Sequence, residues 1–215
     1  MPLDRVRSHH LRMLMQNAEQ HLLKILNQEE IDALYARPTF NEEERDHYFT
    51  VSPEEAYQIS QLAIRSRIYC ILEQGYFKAQ HKFFAYTWDA VSADLVYIQQ
   101  RYYPEHSLTS DAVAPNTRTK YQQLILRLSR FTLFEAAERA KVESQAAYLA
   151  KISTRPIYLF RELVQYFDAN RIVLPAYGTL QNFIGKMLER EKQRLITFAG
   201  EKLTSGEQQK LKILL

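Results

Sequence analysis

Along this chain a serine, threonine or asparagine repeatedly stands three residues ahead of a glutamate, at the head of an apolar run. Asn41 with Glu44, Ser52 with Glu55 behind Pro53, Thr132 with Glu135, and Thr204 with Glu207 all have this spacing. In it the leading side chain satisfies an amide at a helix start while the glutamate reaches back to the cap, each cap contributing about 1 kcal/mol. Between these signals apolar residues recur at intervals of three and four: Ala56, Ile59 and Leu62; Ile68, Ile71, Leu72, Gly75 and Ala79; Tyr121, Leu124, Ile125 and Leu128; Ile157, Phe160, Leu163, Val164 and Phe167. That period buries one face of a helix. Only 5 of 215 residues are glycine, and valine-rich alternating runs are few, so the expected fold class is all-α.

At this length roughly 70% of the unfolded surface can be buried, and no disulfide is needed. The single cysteine, Cys70, excludes an internal bridge, and no apolar run has the length of a signal peptide or membrane span. A soluble cytoplasmic protein without a membrane partner is expected. The formal charge of +3 is too small to establish a nucleic-acid partner by itself.

From Pro104 to Asn116 the pattern lapses into Pro, Ser, Thr, Asp and Asn, a composition that favours turns. A boundary is expected there, dividing the chain into a helical module over residues 1–103, a linker over 104–116 and a second module over 117–215. The first holds a leading basic helix, short helices near 28–35 and 42–48, a helix pair from Pro53 to about Ala79, and one from Thr87 to Tyr102. The second holds four helices, the longest from about Gly178 to Glu201. The last residues, Leu203 to Leu215, cap and begin an amphipathic helix that stops at an apolar end; a docked terminal helix and a truncated chain both account for it.

Arg155 to Gly185 reads as a helix, a short rigid connector, then a second helix with a polar leading end. In a helix-turn-helix the second helix enters the major groove and its first residues face base edges. Leu180, Phe183, Ile184, Met187 and Leu188 form a packing stripe, while Thr179, Asn182 and Lys186 share the opposite face, flanked by Gln181. Asparagine and glutamine amides match adenine edges, and Lys186 can reach guanine or phosphate. Tyr177 and Gly178 lie at the leading end, where the helix dipole favours phosphate. A solvated helix face accounts for the same residues.

A second candidate is residues 66–79, after the basic turn Arg65-Ser66-Arg67, where Arg67, Gln74 and Lys78 line up on a helical wheel and Glu73 falls off that face. An exposed, salt-bridged helix explains it equally. Arg118 and Lys120 open a further helix and could grip backbone without reading sequence; Arg5, Arg7, His9, His10, Arg12, His21 and Lys24 could do likewise. No constellation suited to catalysis is found: no metal-ligand spacing of histidines, no Gly-rich phosphate loop, no nucleophile elbow. No cofactor is expected, and the chain is expected not to be an enzyme. Cys70, Tyr69, Tyr76, Phe77, Phe83, Phe84, Tyr86 and Trp88 read as core.

Several runs resemble the N-terminal region of Tn-three-family transposases: ILNQEEIDALYARPTFNEEERDHYFTVSPEE, SRIYCILEQGYFKAQHKFF, EAAER at Glu135–Arg139, RPIYLFRELVQYF and RIVLPAYGTLQ. Together they cover about residues 24–214. The resemblance implies a pair of helix-turn-helix-type modules that bind the terminal inverted repeats of a replicative transposon. Cleavage and joining would belong to an RNase-H-like domain with a DDE carboxylate triad and magnesium, beyond this region. It further implies Arg65, Ser66, Arg67, Gln74 and Lys78 as the contacts of the first module and Tyr177, Thr179, Gln181, Asn182 and Lys186 as those of the second. Many relatives show Gln followed by Leu where this chain has Glu73-Gln74, which weakens base contacts from that helix. The implied partners are double-stranded DNA, the catalytic domain of the transposase and a second copy of the chain. The rival expectation is an all-α interaction or dimerisation scaffold.

Overall fold

Asn41 and Ser52 cap helices as their spacing predicts. The Asn41 side chain accepts from the Glu44 amide at 2.9 Å while Glu44 accepts from the Asn41 amide at 2.9 Å; the Ser52–Glu55 pair does the same at 3.3 and 2.7 Å. A third reciprocal box joins Asn27 and Glu30, both bonds at 2.9 Å. The computed structural model describes residues 23–108 and 115–202. Among these, nine helices are the only regular elements: α1 (Gln28–Tyr35), α2 (Glu42–Tyr48), α3 (Pro53–Ile59), α4 (Ile64–Gln80), α5 (Trp88–Tyr102), α6 (Pro115–Ser129), α7 (Ala136–Ile152), α8 (Pro156–Ala169) and α9 (Tyr177–Lys202). The protein is all-α. The Thr204–Glu207 cap, the terminal helix and the leading basic helix lie outside the described residues.

Thr132 does not cap. Its amide donates to the Arg171 carbonyl and its carbonyl accepts from the Val173 amide, both at 2.9 Å, forming an isolated parallel bridge with Ile172. With Thr132 held there, α7 begins behind Glu135 with no side-chain cap bond. A capping box needs extended backbone aimed at its own helix, and the bridge redirects it.

Two compact units emerge. One comprises Asp32–Phe134 with Phe167–Leu174. Its centre is α4, where every residue from Ile68 to Phe77 is buried because α2, α3, α5 and α6 pack around it. Tyr121, Leu124 and Ile125 of α6 belong to the same core cluster. The division predicted at 104–116 therefore does not match the packing: a turn-rich stretch separates helices in sequence, but the apolar face of α6 is buried against α4. Cys70 is fully buried, and burial pushes its thiol up to about 12, so it stays protonated at neutral pH. Of the described residues, the other unit comprises 23–31, Glu135–Tyr166 and 175–202; in it Val142, Ala146 and Leu149 of α7, Leu159, Phe160 and Leu163 of α8, and Leu180, Phe183, Ile184 and Met187 of α9 are buried.

Gly75 sits where α4 passes beneath Phe49. A Cβ there would fall on the Phe49 ring, 2.5 Å from Cε1 and 3.2 Å from the Tyr48 carbonyl, and Phe49 is itself buried. Although alanine favours helix, Gly75→Ala is expected to destabilise the protein by about 1–3 kcal/mol through overpacking, measured as a lowered urea midpoint. An unchanged midpoint would mean that the Phe49 ring moves aside without cost.

Candidate nucleic-acid interface

The polar face of α9 survives in the structure in reduced form. Leu180, Phe183, Ile184 and Met187 of its packing stripe are buried and Leu188 is half-buried, which turns Thr179, Asn182 and Lys186 outward, and all three are exposed. They lie three and four residues apart, one above another on the helix surface. Tyr177 and Gln181 have different work. The Tyr177 hydroxyl accepts from the amides of Ile25 and Leu26 at 3.2 and 3.1 Å, and the Gln181 amide donates to the Leu23 carbonyl at 2.8 Å. These two side chains fasten residues 23–26 along the leading end of α9.

Farther along, the electrostatics change. Glu189 is exposed and accepts from Gln193 at 2.8 Å, with Lys192 at 3.9 Å. Arg190 pairs with Glu143 of α7 at 3.2 Å, and Arg194 pairs with Glu191 at 2.6 Å, holding that carboxyl below its usual range mainly through their hydrogen bond. The leading end of α9, Tyr177 to Leu188, carries no carboxylate of its own.

The predicted face of α4 is not assembled. Gln74 is only 4% exposed and its Oε1 meets no hydrogen-bond donor; helices packed on every side enclose a position that the helical wheel places at the surface. Arg67 donates to the carbonyls of Leu62 at 2.7 Å and Ser60 at 2.6 Å, closing the turn after α3. Lys78 donates to the Thr50 carbonyl at 2.7 Å and pairs with Glu55 at 3.0 Å. Ser66 is half-buried and hydrogen-bonds to Tyr121. Arg65 alone of this set is exposed, its guanidinium 5.9 Å from the centre of the Tyr69 ring.

Arg118 and Lys120 part company. The Arg118 Nε is 2.6 Å from Glu73 Oε1, its guanidinium stacks over the Tyr86 ring at 4.7 Å, and it donates to the Phe84 carbonyl. Lys120 is exposed. The acidic partner, Glu73, is buried and also accepts from Tyr86 at 2.9 Å and Gln122 at 3.4 Å. Burial raises its carboxyl above the usual range despite the opposing pull of Arg118. Sequence reading placed Glu73 off the polar face without finding this pair; its partner lies 45 residues away, beyond any local pattern.

No group of three or more His, Cys, Asp or Glu among the described residues could hold a metal ion, and none of the described helices is long and apolar enough to cross a membrane. What the arrangement offers is a helix end with one amide, one hydroxyl and one ammonium at the surface, on an all-α scaffold. Residues 25–187 match the family described as Domain of unknown function (DUF4158), and the chain belongs to that family. A comparison with curated proteins gives no match.

Proposed function

We propose that this chain is the end-recognition region of a Tn-three-family replicative transposase, and that the leading end of α9 reads the terminal inverted repeat in the major groove of duplex DNA. The observation that carries the reading is the sorting of polar side chains on that end. Tyr177 and Gln181 are used to hold residues 23–26, whereas Thr179, Asn182 and Lys186 stand exposed on one face. Asn182 has the donor and acceptor pair that matches an adenine edge, Thr179 can bond either base or phosphate, and Lys186 supplies charge to guanine or backbone. The sequence resemblance to transposase N-terminal regions supports the same assignment.

On this reading α4 takes no part in base reading, and the first unit contributes backbone contacts through exposed cations such as Arg65 and Lys120. The chain itself neither cuts nor joins DNA. Asn182→Ala is expected to lose about 1–3 kcal/mol of discrimination between terminal-repeat and scrambled duplexes. Lys120→Ala is expected to weaken both duplexes alike and to lower the salt slope by about one. Equal discrimination by Asn182→Ala and the parent protein, with both folded, would sink the assignment of α9.

A second reading has one observation in its favour. Leu195, Ile196 and Phe198 on the far half of α9 are exposed, as are Tyr148 and Ile152 on α7, more apolar side chain than a solvated helix needs. A protein-docking or dimerisation scaffold would use them. It predicts a mass that rises with concentration in sedimentation and no duplex binding that weakens with salt.

A further inference from the structure

Among the described residues, three other than glycine have left-handed backbone: His81 (φ 52°), Arg130 (φ 59°) and Arg171 (φ 55°). Each follows a helix, and at such positions glycine or asparagine is favoured because a Cβ crowds the neighbouring carbonyl. The three belong to one unit and meet through their neighbours. The His81 ring lies 4.5 Å from that of Phe131, and its Nδ1 is 2.8 Å from Asp168 Oδ1. The bridge between Thr132 and Ile172 then sets the segments carrying Arg130 and Arg171 side by side.

His81 has an internal reason for its backbone: its side chain packs on aromatic rings and pairs with Asp168. The two arginines do not share that reason. Their helix ends close in the same way, with the Phe131 amide on the Leu126 carbonyl at 3.0 Å and the Ile172 amide on the Phe167 carbonyl at 2.8 Å. Backbone bonds of this kind need no side chain and would form better with glycine. Both arginines are exposed. The Arg171 guanidinium makes one bond, at 3.3 Å, to the Ser129 carbonyl, which brings it to the residue before Arg130. A cation does complement a helix C-terminus; Arg127 already fills that role in the last turn of α6, whereas the last turn of α8 has no basic residue and Arg171 follows it. Asp168, the nearby carboxylate, is held by His81.

We infer that Arg130 and Arg171 form a phosphate grip that takes the sugar-phosphate backbone of duplex DNA without reading sequence. Planar guanidinium forks suit phosphate oxygens, and the paired segments hold the two α-carbons in fixed register. The inference rests on the duplex-binding reading above and adds to it a site that the sequence did not single out.

The test is the double variant R130G/R171G, in which glycine suits the backbone while the cations are lost. Fluorescence anisotropy with terminal-repeat and scrambled duplexes, over a salt series, should show affinity falling about ten- to hundredfold for both duplexes alike and the salt slope shallower by about 1.8. The melting temperature should be equal to or above that of the parent. Should the variant melt lower, R130N/R171N serves in its place, since asparagine also tolerates this backbone. Parent-like affinity and slope in a folded variant would overturn the grip while leaving the reading of α9 intact. Absence of duplex binding by the parent protein itself would overturn both. Displacement of duplex by inorganic phosphate at constant ionic strength would mark a site for free phosphate and so contradict the backbone assignment.

Discussion

Arg118→Met is expected to lower folding stability by about 3–5 kcal/mol at neutral pH, because it strands the Glu73 carboxylate in the core. The Glu73 side chain is 2% exposed and Arg118 is its only charged hydrogen-bonding partner among the described residues. Burial already raises the Glu73 pKa above its ordinary 4.5, with Arg118 the largest opposing influence; removing the arginine raises it further. A carboxyl whose folded pKa lies above its unfolded one binds protons more readily when folded, so folding is favoured at low pH and that advantage is lost as pH rises through the folded value. The deficit of the variant should therefore be small near pH 4 and grow toward neutrality. Glu73→Gln in the same chain should recover most of it, since the amide can still accept from Tyr86. Urea unfolding of the two variants at several pH values measures this directly. Were Arg118 instead a DNA contact, its loss would weaken duplex binding and leave stability and its pH dependence unchanged.

Asp94→Ala should cost a similar amount, about 3–5 kcal/mol, for a related reason. Asp94 Oδ1 accepts from Arg45 Nε at 2.7 Å and Oδ2 from the Tyr76 hydroxyl at 2.5 Å, with Arg37 at 3.6 Å. Arg37 also donates to the Tyr76 hydroxyl at 2.9 Å and to the Ala90 carbonyl at 2.7 Å. One buried carboxylate thus organises α5, α4, the last turn of α2 and the connector before that helix. Removing it leaves the hydroxyl of Tyr76, a residue 1% exposed, without its acceptor, and an unsatisfied buried donor costs more than the bond was worth. Tyr76→Phe in the Asp94→Ala background should be less harmful than Tyr76→Phe alone, the signature of a shared network in a double-mutant cycle. Strict additivity of the two changes would show that they act independently.

Local signals carried the helices well. The caps at Asn41 and Ser52, the three-and-four apolar period and the short connector before α9 all act within one or two helical turns, which is the range that sequence pattern reports. The buried networks escaped because their partners are far apart along the chain: Asp94 with Arg45, Glu73 with Arg118. The face of α4 misled for a different reason. Arg67, Gln74 and Lys78 do lie on one side of the helix, but helical periodicity tells which residues share a side, not whether that side meets water. Four neighbouring helices bury the middle of α4, so Gln74 is enclosed and the flanking cations bond to carbonyls and Glu55. On α9 only one side is occupied by the apolar core, and there the predicted face kept Thr179, Asn182 and Lys186 while yielding Tyr177 and Gln181 to the segment at residues 23–26. Arg130 and Arg171 carry no sequence signal at all, since a left-handed arginine is invisible until the backbone is known.

The proposed recognition of a specific duplex is checked by fluorescence anisotropy of the purified chain. A duplex bearing the proposed target, a terminal inverted repeat of the Tn-three type, is compared with a scrambled duplex of equal length, from low to moderate salt. Binding to the repeat is expected to be tighter, with affinity for both duplexes falling about a thousandfold or more across the series if six to ten phosphates are contacted. Equal affinity for the two duplexes, or binding that ignores salt, would contradict it.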